Sequence, residues 1–67
     1  MLKRNSKKNI MKWAKEAIDN SNLTDYKKEV LLKEAEMLVE CGLWRGDISA
    51  IWIKEGYTMA DIPDLYP

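Results

Sequence analysis

The side chains that most often carry acid–base and metal chemistry are nearly missing from this sequence. There is no histidine, and Cys41 is the single cysteine. Without an imidazole, Ser6, Ser21 and Ser49 have no partner for a nucleophilic triad, and general acid–base work loses its commonest agent. One thiol cannot build an ordinary tetrahedral zinc set, and the carboxylates do not follow calcium-loop spacing. Glu36 and Glu40 are spaced to share a helix face, which reads as solvated. The three glycines, Gly42, Gly46 and Gly56, punctuate helix ends and do not form a phosphate-cradling loop. The expectation is a non-enzyme with no cofactor and no bound metal.

Two other kinds of chemistry remain. The first is aromatic. Trp13, Trp44, Trp52, Tyr26, Tyr57 and Tyr66 are present while phenylalanine is absent. Trp and Tyr combine large apolar area with one hydrogen-bonding group, so they are enriched at binding hot spots. The second is electrostatic. Lys3, Arg4, Lys7, Lys8, Lys12 and Lys15 carry all the charge of the first fifteen residues, whereas eleven acids and five bases follow, a balance of −6. Such a split makes the basic stretch either a solvated face or a docking arm for an anionic partner.

Three elements must position these groups. Ile10, Trp13, Ala14, Ala17 and Ile18 follow one helix face. This first helix starts near Asn5 or Ser6 and stops around Asn20. Its lysines Lys8, Lys12 and Lys15 fall within roughly 60° of one another, off the apolar stripe. A second helix runs from Asp25 to Cys41, with Thr24 as N-cap and Gly42 as the terminating residue. It is apolar on two sides. Leu31, Leu32, Ala35, Leu38 and Val39 form a broad face, and Tyr26, Val30, Met37 and Cys41 a narrower one. Asp47 can cap a third helix from Ile48 to Glu55, closed by Gly56. "ISAIWI" over 48–53 is also rich enough in β-branched and aromatic residues for a strand. Its continuous apolar run and the absence of a partner strand favour helix. Thr58 to Asp61 can form one more turn before Pro63.

Arg45-Gly46-Asp47 matches an adhesion tripeptide, but local roles explain it more simply. Gly46 lets the chain turn and Asp47 caps the next helix. The run Gly56-Tyr57-Thr58 resembles the turn of a helix-turn-helix spanning 48–65. Against that reading, Trp52 is large where close helix contact wants a small side chain. The second helix would contain Pro63 and would offer Asp61 and Asp64 to phosphates.

The expected architecture is all-α: one domain over 1–67, a helical hairpin with a shorter third helix and a C-terminal turn. Residues 1–5 are expected to form a flexible basic arm and 63–67 an extended tail. Ile10, Ala14, Ile18, Leu31, Leu38, Ile51 and Trp52 are expected in the core. Only about 60% of the unfolded surface is buried at this size, and neither disulfide nor metal supplements it. The lone cysteine fits a reducing compartment. No signal-peptide pattern and no run of 18 apolar residues appear, so a cytoplasmic protein without membrane contact is expected.

The functional expectation is a small protein–protein interaction module, a regulator or inhibitor docking on a larger protein. The analogy to bacterial and phage regulators rests on size alone. Trp44, Tyr57, Tyr66, Val30 and Met37 are the expected contact residues, and a homodimer seamed by Val30 and Met37 is the self-associating version. The alternative is nucleic-acid binding, through Lys3, Arg4, Lys7, Lys8, Lys12 and Lys15 or through the partial helix-turn-helix.

Overall fold

The structure, a computed structural model, describes residues 7–65. Three helices follow in order: α1 (Lys7–Asp19), α2 (Asp25–Glu40) and α3 (Arg45–Lys54). The described residues contain no strand, and residues 48–53 lie within α3. α1 and α2 form an antiparallel hairpin, which brings Lys7 at the start of one to 3.5 Å from Glu40 at the end of the other. α3 packs against α1.

α1 buries Ile10, Ala14, Ala17 and Ile18, the stripe expected from its periodicity. The expected cap at Asn5 or Ser6 and the basic arm over 1–5 lie outside the described residues. At its other end, the Ser21 hydroxyl donates to the Ile18 carbonyl. A serine hydroxyl competing for helix carbonyls in this way favours termination.

α2 starts and stops as its sequence predicts. Thr24 has extended backbone, and its Oγ1 accepts a hydrogen bond from the Lys27 amide at 3.2 Å. Replacing such a cap with alanine costs ~1 kcal/mol. Thr24→Ala is therefore expected to lower Tm by about 4–8 °C, the shift that ~1 kcal/mol produces in a domain of this size. Thermal denaturation followed by circular dichroism checks it; an unchanged Tm would mean that the end of α2 is held by packing alone. At the C-terminus, Gly42 takes φ +93°. The Leu43 amide then reaches back to the Leu38 carbonyl (3.1 Å) and the Gly42 amide to Val39 (3.0 Å). This is the glycine-dependent termination expected at that position. The same pair of bonds recurs after α3, from Tyr57 to Trp52 and from Gly56 to Ile53.

α3 departs from expectation at its start. It begins at Arg45, so Gly46 is inside the first turn and does not supply a bend between helices. Asp47 is the third helical residue, not the cap, and its carboxylate accepts from the Trp44 amide at 3.4 Å. An acid in this position still satisfies a backbone donor at the positive end of the helix. The Trp44 ring lies against this turn: a Cβ at Gly46 would be 3.4 Å from it, at ordinary contact.

The core joins Ile10, Ala14, Ala17, Ile18, Leu31, Ala35, Val39, Ile48, Trp52, Ile62 and Leu65. Leu38 and Ile51, expected inside, are partly buried at its edge. Ile48 and Trp52 are the apolar residues that α3 turns fully inward, and that leaves Ile51 on its flank. The alanines Ala14, Ala17 and Ala35 are completely buried in the same core as the large indole of Trp52.

The segment after α3 removes one alternative and corrects one expectation. No helix follows Gly56 among the described residues, only a succession of turns through Asp64, so the helix-turn-helix arrangement is absent. The reason is local. Asp61 Oδ2 accepts from both the amide and the hydroxyl of Thr58, closing a tight turn, and Pro63 blocks its continuation. Residues 63–64 also turn instead of extending, and they deliver Leu65 to the core. Tyr66 and Pro67 lie outside the described residues.

These turns are tied to the α1–α2 loop. The Asn22 amide donates to the Asp61 carbonyl (2.8 Å) and its side chain to the Ala60 carbonyl (2.9 Å). Asn20 Nδ2 reaches Asp64 Oδ2, and Trp13 Nε1 reaches the Asp64 carbonyl, both at 3.2 Å. The segment thus covers one end of the helical hairpin.

Candidate docking face

α2 packs its broad apolar face inward and leaves its narrow one outside. Tyr26 is 74% exposed, Val30 44% and Met37 66%. Cys41, the residue that closes the helix, is exposed as well. At ~100° per residue these four fall within roughly 60°, directly opposite Leu31, Ala35 and Val39. They share one face as a ridge of two apolar pairs, Tyr26–Val30 and Met37–Cys41, with Lys33 and Glu34 on the turn between them. From Tyr26 to Met37 it spans about 16 Å, or three helical turns. Val30 and Met37 were expected as contact residues. Tyr26 is the most exposed member of the ridge, and the same helical spacing marks it.

The remaining aromatic residues divide. Trp52 is completely buried and stacks on Trp13, with ring centroids 5.9 Å apart and planes 19° apart. Trp13 is therefore a structural residue whose ring is already stacked. Trp44 is 39% exposed at the start of α3. Tyr57 is half-buried against the core, with Lys27 Nζ 5.7 Å from its ring centroid. Trp44 and Tyr57 belong to the α3 end of the molecule, away from the Val30–Met37 ridge in the chain. Ile53 and Met59 are also exposed large apolar residues. Nothing in their spacing distinguished them, because Ile53 lies in an unbroken apolar run.

Lys8, Lys12 and Lys15 are exposed along one side of α1, beside a shallow recess they share with Asn9 and Met11. Lys7 is paired with Glu40. Lys3 and Arg4 lie outside the described residues. Between α1 and α2 runs an open groove of about 440 Å³, floored by Ile18 and Leu32 and edged by Lys15, Glu16, Asp19, Lys28 and Glu29. Lys28 Nζ donates across it to the Asp19 carbonyl.

One carboxyl is perturbed. Glu34 is half-buried on the flank of α2 and accepts from Trp52 Nε1 at 3.2 Å. Burial holds its pKa above the ordinary 4.5. The neighbouring Glu55 raises it further, by hydrogen bonding and by charge, and the Trp52 donor opposes the rise. A native pKa raised in this way means that the folded state binds the proton more tightly than the unfolded chain. The associated stability is complete below pH 4.5 and is lost as pH rises through the raised value. Glu55→Gln removes the charge facing Glu34. It is therefore expected to raise Tm at pH 7 and to change it little at pH 4. Melting curves at the two pH values check this; an equal shift at both would show that the carboxyl pair is not coupled.

Among the described residues, no group of three or more Cys, Asp or Glu side chains is placed to hold a metal ion. No helix there is long and apolar enough to cross a membrane. The groups brought together offer apolar area, aromatic rings and charge. They define a small three-helix domain with an apolar ridge on its central helix. The chain matches no family model, no curated protein and no solved structure.

Proposed function

We propose that this chain is a small cytoplasmic protein–protein interaction module, a regulator or inhibitor that docks on a larger protein and blocks or bridges its surface. The observation that carries the reading is the ridge Tyr26, Val30 and Met37, left outside a core that is otherwise filled. A three-turn row of large apolar side chains costs solubility when bare, and rows of this kind mark interaction surfaces. The test is an affinity capture from the native host with the intact chain, a Val30→Asp/Met37→Asp variant and a Trp44→Ala variant. Both aspartates would point into solvent, so the fold is expected to survive, and circular dichroism checks that. A protein captured by the intact chain and lost with the ridge variant supports the reading. Capture that ignores the ridge overturns it.

A second reading has its own observation. Lys8, Lys12 and Lys15 form an exposed row on α1, and none of them has an acidic side chain within ion-pair distance among the described residues. Such a row suits phosphates, and its affinity for a random duplex would fall steeply with salt. No binding at low salt removes this reading.

A further inference from the structure

We infer that the occupant of the α2 ridge is a basic amphipathic helix of the partner protein, a deepening that rests on the docking reading above. The ridge is not electrically neutral. Glu29, Glu36 and Glu40 follow one another along one flank, within roughly 40° of arc at α-helical spacing, and all three are exposed. Lys33 lies on the same flank, nearer the ridge than these acids; the three glutamates outnumber it, and its long stem lets the ammonium swing aside. Glu34 borders the opposite flank, where the exposed Lys27 is turned toward the Tyr57 ring. Lys7 engages Glu40 in an ion pair whose two side chains are mostly exposed, a weak and displaceable contact. A partner that lays apolar side chains on Tyr26, Val30 and Met37 therefore meets carboxylates at its edge. Lys or Arg at that edge complements them. The open face of Tyr26 also favours a cation, which its ring attracts.

Shape points the same way. From Tyr26 to Met37 the face is about 16 Å long, with an apolar pair at each end, Tyr26–Val30 and Met37–Cys41. It matches the apolar stripe of an equally long helix laid alongside, read as anchors three or four residues apart. A second copy of this chain fits poorly. An antiparallel two-fold pairing presents the same patch twice and sets the flank bearing Glu29, Glu36 and Glu40 against its own carboxylates, and a parallel one sets it against the flank of Glu34. A polyanion is repelled for the same reason.

The probes are three synthetic peptides of equal length. One is a helix-forming Leu/Lys peptide with leucines at amphipathic spacing, one is its Leu/Glu counterpart, and one is the Leu/Lys composition shuffled. Binding to the intact chain is followed by amide NMR shifts. The amphipathic basic peptide is expected to bind tightest and to shift residues around Tyr26, Val30, Met37 and Cys41. Glu29→Lys/Glu36→Lys is expected to weaken it roughly tenfold, about what reversing two exposed charges yields, and Val30→Asp/Met37→Asp to abolish it. Four results overturn the inference. They are equal binding of the acidic peptide, equal binding of the shuffled one, no binding of the basic peptide, and a sedimentation dimer broken by the ridge substitutions. Failure with peptides while a host protein is still captured through the ridge removes only the basic-helix assignment. Loss of ridge-dependent capture removes the docking reading itself.

Discussion

Trp52→Ala is expected to leave the protein without a cooperative thermal transition. The indole is completely buried, stacked on Trp13 and hydrogen-bonded to Glu34. Truncating such a residue costs about 3–5 kcal/mol, through lost transfer energy and the cavity left behind. A core in a chain this short rarely supplies more than roughly 3–5 kcal/mol. The two magnitudes meet, so nothing remains to hold the native state. Three members of the same core, Ala14, Ala17 and Ala35, carry side chains too short to fill such a space. Far-UV circular dichroism against temperature gives the answer. A sigmoidal melt close to that of the unaltered chain would refute the central role assigned to this residue.

Ile62→Ala is the second large effect, at about 2–5 kcal/mol. Ile62 is completely buried although it belongs to no helix. Together with Leu65 it brings the covering segment onto the hairpin, while the bonds from Asn20, Asn22 and Trp13 set its register. Met59 provides the internal control. It lies in the same segment but is 58% exposed, so Met59→Ala is expected to stay within about 0.5 kcal/mol, as surface changes do. Urea denaturation of the two variants compares them directly. Equal midpoints would show that the segment contributes nothing to the core.

The all-α architecture was legible because it is written in local spacing. The apolar stripe of α1, the Thr24 cap and the Gly42 stop each depend on residues within a few positions of one another. α3 was read with its first turn missing, because Gly46 resembles a bend. In the fold it lies in the first turn of the helix, beside the Trp44 ring. The covering segment was only partly legible. Pro63 correctly signalled the end of the turn at Thr58–Asp61. The bonds that anchor the segment were not signalled, since most of them end on backbone carbonyls far along the chain, and a carbonyl has no residue type. Ile62 and Leu65 became core residues through those bonds. For the candidate site the legible part was the two-sided pattern of α2, which assigned Val30 and Met37 to a separate face. The acids of its flank were legible as a polar stripe. That they border an exposed ridge became visible only when the opposite face was seen to be packed against α1.

The Trp13–Trp52 stack also has an optical consequence. Two indoles 5.9 Å apart and nearly parallel are close enough for their electronic transitions to couple. The pair should add a paired positive and negative band to the ultraviolet circular dichroism that no isolated tryptophan produces. Trp44, partly open to water, should instead dominate what a soluble quencher can reach. The molecule thus carries two intrinsic chromophore signals, one from its interior and one from its surface, and they distinguish loss of the fold from arrival of a ligand without an attached dye.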